Sequence, residues 1–464
     1  MAERELHFGL MFWANGTHPS GWRMPTALET APFDIEFLQS VTQIAEAAKF
    51  DFLFLGDRLA SDPALQTTNP SQMSRLEPFI SAASLAAATN RIGIVVTANP
   101  TYYDPFAIAH LTASLDHLSG GRASWNLVTG ADEIAAANFS RDEHWDTDKR
   151  YDWAEEFVQV AKKLWDSWDE DGYGAGPNGG AQSINHRGRF FSIDGPLPVR
   201  RPPQGHVVIL HAGTSDRSRE LAARDADVVF AAGPTIAVAK AYYDDVKTRA
   251  KKYGRTGDQI AILPGMTPIV APTTAEAVKI YDQLNSFIKL DTEDTLEEHR
   301  RYGALGGRGK RNLSNVTRVI EVDVRGRDPD EAVDPRVLKE ANEEGQRLFA
   351  QISERTRRDV TGANRITYRD LIIAAAGQGG GVVGNPVEVA DYIQDWFEKE
   401  ACDGFNIFPS YNPDSVSAFA DLVVPVLQDR GLYRRDYSGP TFRDHLGLAR
   451  PANTLTGARA AAAE

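Results

Sequence analysis

The sequence predicts an α/β protein and, more narrowly, a (β/α)8 TIM barrel, on three observations. Short apolar runs rich in β-branched and aromatic residues alternate with longer segments of helical periodicity. Such alternation is typical of a parallel sheet that is covered by helices on both faces. Eight of these strand–helix units follow one another along the 464 residues, and eight units close a barrel. An open, doubly wound sheet is the alternative that alternation alone does not exclude.

The predicted elements follow in a regular order. Strands are predicted at 6–14, 52–56, 92–97, 123–129, 207–210, 227–231, 260–270 and 404–408. Helices are predicted at 33–50, 77–89, 105–118, 151–168, 219–223, 236–253, 274–289 and 416–429. We expect these elements to form a single domain over residues 1–453, followed by a flexible tail at 454–464.

Two insertions interrupt this order. The first, at about 168–205, is polar and rich in glycine, which indicates a surface excursion or a short hairpin. The second, at 291–384, is heavily charged and contains a helical pattern at 337–357. Because it precedes the last strand, we expect it to cover the C-terminal face of the barrel as a lid. Its glycines at 377–381 are a hinge or a simple linker.

Composition excludes several function classes. A net charge of −14 argues against nucleic acid or an anionic membrane as a partner. The single cysteine, Cys402, excludes an intrachain disulfide, and no histidine or carboxylate cluster has metal-ligand spacing, so no metal is predicted. Neither a signal pattern nor an apolar run of membrane length is present. We therefore expect a cytoplasmic protein.

The stretch from 207 to 219 reads as a strand, a tight glycine turn and a helix start. Gly213 follows the apolar run, and the hydroxyls of Thr214 and Ser215 come directly before the helix. Backbone N–H groups and the positive end of a helix dipole meet at such a turn, which suits a phosphate. On these residues alone, the alternative is an ordinary capped helix that binds no phosphate.

In a parallel barrel, chemistry lies at the C-terminal ends of the strands. The residues at those positions are Trp13, Asp57, Thr97, Asn126, Thr129 and the stretch from His211 to Ser215. They include no nucleophile elbow and no HExxH motif, and no glycine-rich dinucleotide fingerprint follows a strand. A barrel with a phosphate turn but no evident nucleophile or metal is predicted to depend on a bound cofactor.

The segment 119–129, SGGRASWNLVT, resembles the "SGGR-x-x-WN-x-VT" strand of the two-component, FMN-dependent monooxygenases of the bacterial-luciferase-like superfamily. The similar branch contains nitrilotriacetate monooxygenase component A, dibenzothiophene-sulfone monooxygenase and pristinamycin synthase. Further matches, in chain order, lie at 150–165, 186–196, 212–215, 403–406, 424–434 and 446–448. The resemblance covers about residues 6–453.

This resemblance implies a barrel that uses reduced FMN and O₂. A separate NAD(P)H:FMN oxidoreductase would supply FMNH₂, and a C4a-(hydro)peroxyflavin would insert one oxygen atom into a small organic substrate. A homodimer or homotetramer is implied by the family alone. The positions that match cofactor-binding residues are Asp57, Thr97, Asn126, Thr129, Tyr151, Gly213, Thr214 and Ser215.

The departures from the family pattern bear on the chemistry. His211 replaces the usual glutamine, and we expect its imidazole beside the flavin, where it would hydrogen-bond the ring or act as a catalytic proton donor. Phe12 and Trp13 are expected to line the substrate site, and Trp13 replaces a cysteine of the alkane monooxygenases. Thr147 replaces a histidine, which leaves open whether His144 takes its place. An F420- or flavin-dependent hydride-transfer enzyme and a non-enzymatic flavin-binding protein are the alternatives.

Overall fold

Eight parallel strands close into a barrel. The computed structural model describes residues 4–61, 73–130, 134–170, 180–231, 233, 235–291, 310–376 and 381–455. The barrel strands are β1 (His7–Met11), β2 (Phe52–Leu55), β3 (Gly93–Ala98), β4 (Ala123–Leu127), β7 (Val208–Ala212), β8 (Val228–Ala231), β9 (Ala261–Val270) and β11 (Gly404–Ile407). They pair in that order and β11 pairs back to β1, so the sheet has no free edge. The predicted (β/α)8 barrel is confirmed.

Helices cover the outside of the barrel and build the insertion. They are α1 (Ile35–Ala47), α2 (Pro78–Ala87), α3 (Pro105–Ser119), α4 (Ala135–Asn138), α5 (Thr147–Trp165), α6 (Asp216–Asp225), α7 (Ile236–Ala250), α8 (Thr274–Ser286), α9 (Leu313–Ile320), α10 (Pro335–Glu340), α11 (Glu343–Thr356), α12 (Tyr368–Ala375), α13 (Pro386–Glu398), α14 (Asp414–Ala418), α15 (Val424–Asp429) and α16 (Phe442–His445). Within the described ranges, none of these helices has the length and apolar character needed to cross a membrane.

The barrel interior can be assigned layer by layer from the strand pairing. When the residue pairing is followed from strand to strand once around the barrel, it returns to β1 eight residues away from its starting point. With this shift, side chains at one height come from alternate strands. The central layer consists of Phe54, Asn126, Phe230 and Asn406. The ring centroids of Phe54 and Phe230 lie 6.2 Å apart, as two rings facing each other across a barrel axis should.

The barrel is closed below the central layer and open above it. At the N-terminal end, Phe442 of α16 packs against Phe52, with ring centroids 5.5 Å apart. The layer above the centre consists of Met11, Thr97, Ala212 and Gly265. Three of these four side chains are small. Gly265 is exposed and Ala212 is half-buried, so the barrel is open to solvent at the C-terminal ends of its strands.

The two insertions have structure of their own. In the first, β5 (His186–Arg187) and β6 (Ser192–Ile193) form the short antiparallel hairpin that was one of two expectations. In the second, α9 to α12 enclose a separate hydrophobic cluster, and β10 (Gly381–Gly384) pairs with the outer half of β9. The glycines at 377–380 and the tail from 456 lie outside the described residues.

Strand β10 and helix α13 were not predicted. Helix α13 carries start signals that are legible in the sequence: Pro386 at its first turn and a capping box between Asn385 and Glu388. The helix predicted at 337–357 is divided into α10 and α11 by Ala341 and Asn342, and Asn342 caps the second of them.

Candidate functional site

Asn126 and Thr97 meet inside the barrel mouth. They face inward from neighbouring strands, and the Asn126 amide Nδ2 donates to Thr97 Oγ1 over 2.9 Å. Asn126 is 2% exposed, and its Oδ1 accepts no hydrogen bond in the described structure. A buried carbonyl oxygen without a donor is costly, so this atom is an acceptor available to a ligand N–H.

The turn between β7 and α6 has the geometry predicted for it. Gly213 has φ of 149°, and a Cβ there would lie 2.3 Å from Ser218 Oγ, so only glycine fits. Thr214 and Ser215 are exposed, and Ser215 Oγ caps α6 by accepting from the Ser218 N–H. The turn therefore presents hydroxyls and the N-terminus of a ten-residue helix to solvent.

Charged side chains of both signs surround this turn. The first turn of α6 contains Asp216, whose carboxylate would repel a phosphate. Arg249 Nη2 lies 2.7 Å from Asp216 Oδ1, and the same guanidinium pairs with two further carboxylates. Arg219 donates to the Thr214 carbonyl over 2.9 Å and pairs with Asp245, so the cations beside the turn are shared with carboxylates.

The structure corrects the expectation for His211. Its ring points away from the barrel interior, because the alternation along β7 turns Leu210 and Ala212 inward. The ring is fully buried between β7 and α6, with Nδ1 donating to the Leu127 carbonyl (2.8 Å) and Nε2 accepting from Ser218 Oγ (2.9 Å). Burial lowers its pKa to about 4, so the ring is neutral. With both nitrogens engaged and no opening to the cavity, His211 is not placed to protonate a cofactor.

Tyr151 lies beside the turn between β7 and α6. It is buried in α5, its hydroxyl is 3.6 Å from where a Gly213 Cβ would be, and its ring faces His211 edge-on at 6.3 Å. Thr129 is buried, and its carbonyl accepts from the Thr101 hydroxyl over 2.9 Å. His144, in contrast, is bonded through Nδ1 to the Tyr102 hydroxyl at 2.8 Å.

A second group of residues lies at the ends of β1 and β2. Trp13 and Phe12 line a cavity together with Gly56, Arg75 and Leu76. The Arg75 guanidinium lies over the Trp13 ring at 4.7 Å. Phe12 itself belongs to the main core outside the barrel, so Trp13 is the more accessible of the two.

Asp57 lies on the same side of the mouth. Its Oδ1 accepts from the Arg58 N–H over 2.7 Å, and burial raises its pKa. The pKa of Tyr103 rises to about 12, first through burial and then through the charge of Asp57. The charge of Asp57 thus acts on Tyr103, and both side chains are half-buried.

Two polar residues of the site were missed. Ser218 lies one helical turn inside α6, and its role depends on contacts that the sequence does not reveal. Asn406 lies in the central layer opposite Asn126, in a short strand buried on both faces, where the sequence does not show which side chains point inward. Among the described residues, no group of three histidine, cysteine or carboxylate side chains has the arrangement needed to hold a metal ion.

The site belongs to a chain with extensive similarity to known proteins. Residues 12–401 match the family model for luciferase-like monooxygenase. Nitrilotriacetate monooxygenase component A of Aminobacter aminovorans is 40% identical, over 98% of this chain and 99% of that protein. Among solved structures, EDTA monooxygenase from Chelativorans sp. BNC1 superposes with a TM-score of 0.76 at 28% identity, covering 96% of this chain and 99% of the other.

A third similar protein was solved with a flavin present. Riboflavin lyase, crystallised with modified FMN and its substrate riboflavin, has a TM-score of 0.73 at 28% identity and covers 97% of both chains. The family model spans more than half of the chain, and the nitrilotriacetate enzyme is similar over almost its whole length. The chain therefore belongs to the luciferase-like monooxygenase family and is an oxygen-incorporating oxidoreductase.

Proposed function

We propose that this protein is the oxygenating component of a two-component monooxygenase. It would take FMNH₂ from a separate NAD(P)H:FMN reductase and use O₂ to insert one oxygen atom into a small organic substrate. One observation supports the proposal most strongly. The same end of the barrel contains an exposed turn of the kind that binds phosphate and the buried, unpartnered Oδ1 of Asn126. A flavin mononucleotide has a phosphate for the first and a ring N–H for the second.

The residues at the barrel mouth have the chemical groups that FMN would need. The N-terminus of α6, with Gly213, Thr214 and Ser215, would hold the phosphate. Thr97 and Asn126 would bind the polar part of the ring, and Tyr151, Thr129 and Asp57 would border it. When bound in its reduced form, FMN supplies the electrons that activate O₂. The protein's own contribution is to orient the ring and to exclude water from it.

The remaining parts of the proposal concern partners and location. The name of the nitrilotriacetate enzyme, component A, supports a separate reductase component. We propose a cytoplasmic enzyme, where reduced nicotinamide and free flavin are both available, and a homodimer or homotetramer.

A carboxylate-bearing substrate is the first class to examine. Nitrilotriacetate and EDTA, named for two of the similar enzymes, are both aminopolycarboxylates. Arg75 lies over Trp13 beside the mouth, where a cation would attract such an anion. The first substrate panel therefore consists of aminopolycarboxylates, with sulfones and apolar heterocycles as comparison classes.

Reductase dependence tests the proposal. The purified protein with NADH and substrate should consume no O₂ beyond background. Addition of FMN and a flavin reductase should give product only when the protein is present. If product formed with NADH alone, or if FMNH₂ were consumed at the same rate without the protein, the two-component proposal would be wrong.

A further inference from the structure

Two N–H donors converge beside Gly56 at the barrel mouth. The position that a Cβ of Gly56 would take lies 3.5 Å from Trp13 Nε1 and 3.5 Å from Arg75 Nη1. Apart from Gly56 and its chain neighbours, no other atom of the described residues lies within 4 Å of that position. Within the described part of the chain, this space is therefore open, and two hydrogen-bond donors border it.

The space beside Gly56 belongs to a cavity between the ends of β1 and β2. Trp13, Gly56 and Arg75 all line this cavity. Its other walls are mainly apolar and include Phe12 and Leu55. The cavity thus offers a polar corner, formed by the two donors, beside apolar walls.

The cavity adjoins the proposed flavin site. Phe54 points into the barrel, so Gly56, two residues further along the chain, lies on the same inner side. Trp13 packs against the hydrophobic cluster that contains Phe54. Strand β2 pairs with β3, whose Thr97 is proposed above to bind the flavin ring. A group bound beside Gly56 would therefore lie next to the ring.

Trp13 contributes a donor that nothing in the described structure satisfies. Its Nε1 is buried and makes no hydrogen bond there. A buried N–H without an acceptor is costly, so this group is available to a ligand. Because the indole nitrogen only donates, the ligand atom that it binds is an acceptor.

Arg75 adds a positive charge at the same place. Its guanidinium lies over the Trp13 ring at 4.7 Å, which holds it beside the indole N–H. Burial and the charge of Arg58 lower the pKa of Arg75 to about 10, against the opposing charge of Asp57. The guanidinium is still protonated at neutral pH, but its surroundings stabilise the charge poorly. An anion that enters the cavity would gain from this charge.

A carboxylate matches both donors. When ionised it only accepts hydrogen bonds, and it has two oxygens, one for the indole N–H and one for the guanidinium. A water molecule would satisfy the indole N–H, but it carries no charge to complement the guanidinium. Glycine at position 56 leaves room for the carboxylate, because a larger side chain would enter the space between the donors.

Resting on the proposed function, we propose that Trp13 Nε1 and Arg75 bind a carboxylate group of the substrate in the space beside Gly56. The two residues would select anionic substrates and hold them next to the flavin, and the apolar walls would accept the carbon chain.

Binding of an aminopolycarboxylate to the FMN-loaded protein tests this assignment. Isothermal titration calorimetry compares nitrilotriacetate with its trimethyl ester, which has no carboxylate. The wild-type protein should bind the acid roughly tenfold more tightly than the ester. Arg75→Gln keeps an amide donor but removes the charge. It should raise the Kd for nitrilotriacetate roughly tenfold and leave the Kd for the ester within about twofold.

Trp13→Phe keeps an aromatic ring under Arg75 and removes the N–H. Its Kd for nitrilotriacetate should rise roughly threefold to tenfold. Trp22→Phe is the matched control, because Trp22 also lies under a guanidinium, that of Arg23 at 4.8 Å, but does not line this cavity. Its Kd for nitrilotriacetate should equal that of the wild type.

Gly56→Ala fills the space without straining the backbone. Gly56 does not have positive φ, and the new Cβ would lie at ordinary contact distance from both nitrogens. The variant should therefore fold with an unchanged or slightly higher melting temperature and bind FMN as the wild type does. Its methyl group would take the place of the carboxylate, so the Kd for nitrilotriacetate should rise several-fold.

Unchanged affinity for nitrilotriacetate in FMN-binding Arg75→Gln or Gly56→Ala protein would overturn the inference. So would wild-type protein that binds FMN but does not prefer the acid to the ester. Failure of wild-type protein to bind FMN at all would instead refute the proposed function, which keeps the two failures distinct.

Discussion

At the scale of single residues, His211 shows how a side chain near a site supports it without entering it. Its ring connects the Leu127 carbonyl on β4 to the Ser218 hydroxyl on α6. Ser218 also donates its backbone N–H to Ser215 Oγ, the N-cap of α6 in the proposed phosphate turn. The pair therefore fixes the turn relative to the barrel wall.

Replacement of His211 by glutamine should preserve this connection, since a glutamine amide can donate to Leu127 and accept from Ser218. We expect His211→Gln to bind FMN within about twofold of wild type. His211→Leu should lose about 1–3 kcal/mol of unfolding free energy and bind FMN more weakly. Urea unfolding and FMN titration measure both. A folded, FMN-binding His211→Gln protein with no turnover would show that the imidazole itself takes part in the chemistry.

Acidification should destabilise the protein through the same residue. Burial holds the pKa of His211 at about 4, below its ordinary value of 6.5. The unfolded chain therefore takes up a proton that the folded chain does not, and stability falls as pH falls from about 6.5 towards 4. The slope is at most about 1.4 kcal/mol per pH unit for one histidine. His211→Gln should lose that part of the slope, and an identical pH profile for both proteins would contradict the assignment.

The sequence could not show whether the His211 side chain points into or out of the barrel, because strands of a parallel barrel are buried on both sides. Alternation distinguishes an inner from an outer face only when one of them is polar, and the run from 207 to 210 is apolar throughout. Asn126 and Thr97 could be placed near the ends of β4 and β3 from the sequence, because polar residues at the ends of buried strands are few; that they bind flavin stays a prediction.

At the scale of elements, the turn between β7 and α6 is the proposed site of the phosphate. Gly213→Ala should disturb it, because the new Cβ would lie 2.3 Å from Ser218 Oγ at a φ of 149°. We expect a loss of about 1–3 kcal/mol in unfolding free energy and a clear loss of FMN affinity.

Gly254→Ala is the control, since Gly254 also has positive φ (69°) but has no atom within 4 Å of its Cβ position. It should lose only about 1 kcal/mol and bind FMN as wild type does. Equal FMN affinity in both variants would show that the turn does not hold the phosphate.

The insertion before the last strand shows where sequence patterns were insufficient. The four residues of β10 are too few for a periodic signal and lie beside a glycine run. Their strand character comes from pairing with β9, which is a tertiary contact. The cap and Pro386 of α13 were local signals and could have been used.

At the scale of the whole molecule, the alternation of strands and helices was enough to predict the barrel, because few topologies bury eight parallel strands on both faces. The interior layers were not predictable, since they depend on a register shift that appears only when the strands are paired. That shift places Asn126 and Asn406, which are 280 positions apart in the sequence, at one height.

The central claim is that this barrel inserts an atom of O₂ into an organic substrate using FMNH₂ made elsewhere. The most direct measurement follows an oxygen isotope. The reaction under ¹⁸O₂ contains the protein, FMN, a separate flavin reductase, NADH and the substrate panel, and mass spectrometry measures the ¹⁸O content of the products. We predict one ¹⁸O atom per product molecule, dependent on both the protein and the reductase. Unlabelled product accompanied by hydride transfer, or hydrogen peroxide as the sole product of O₂ across the panel, would contradict it.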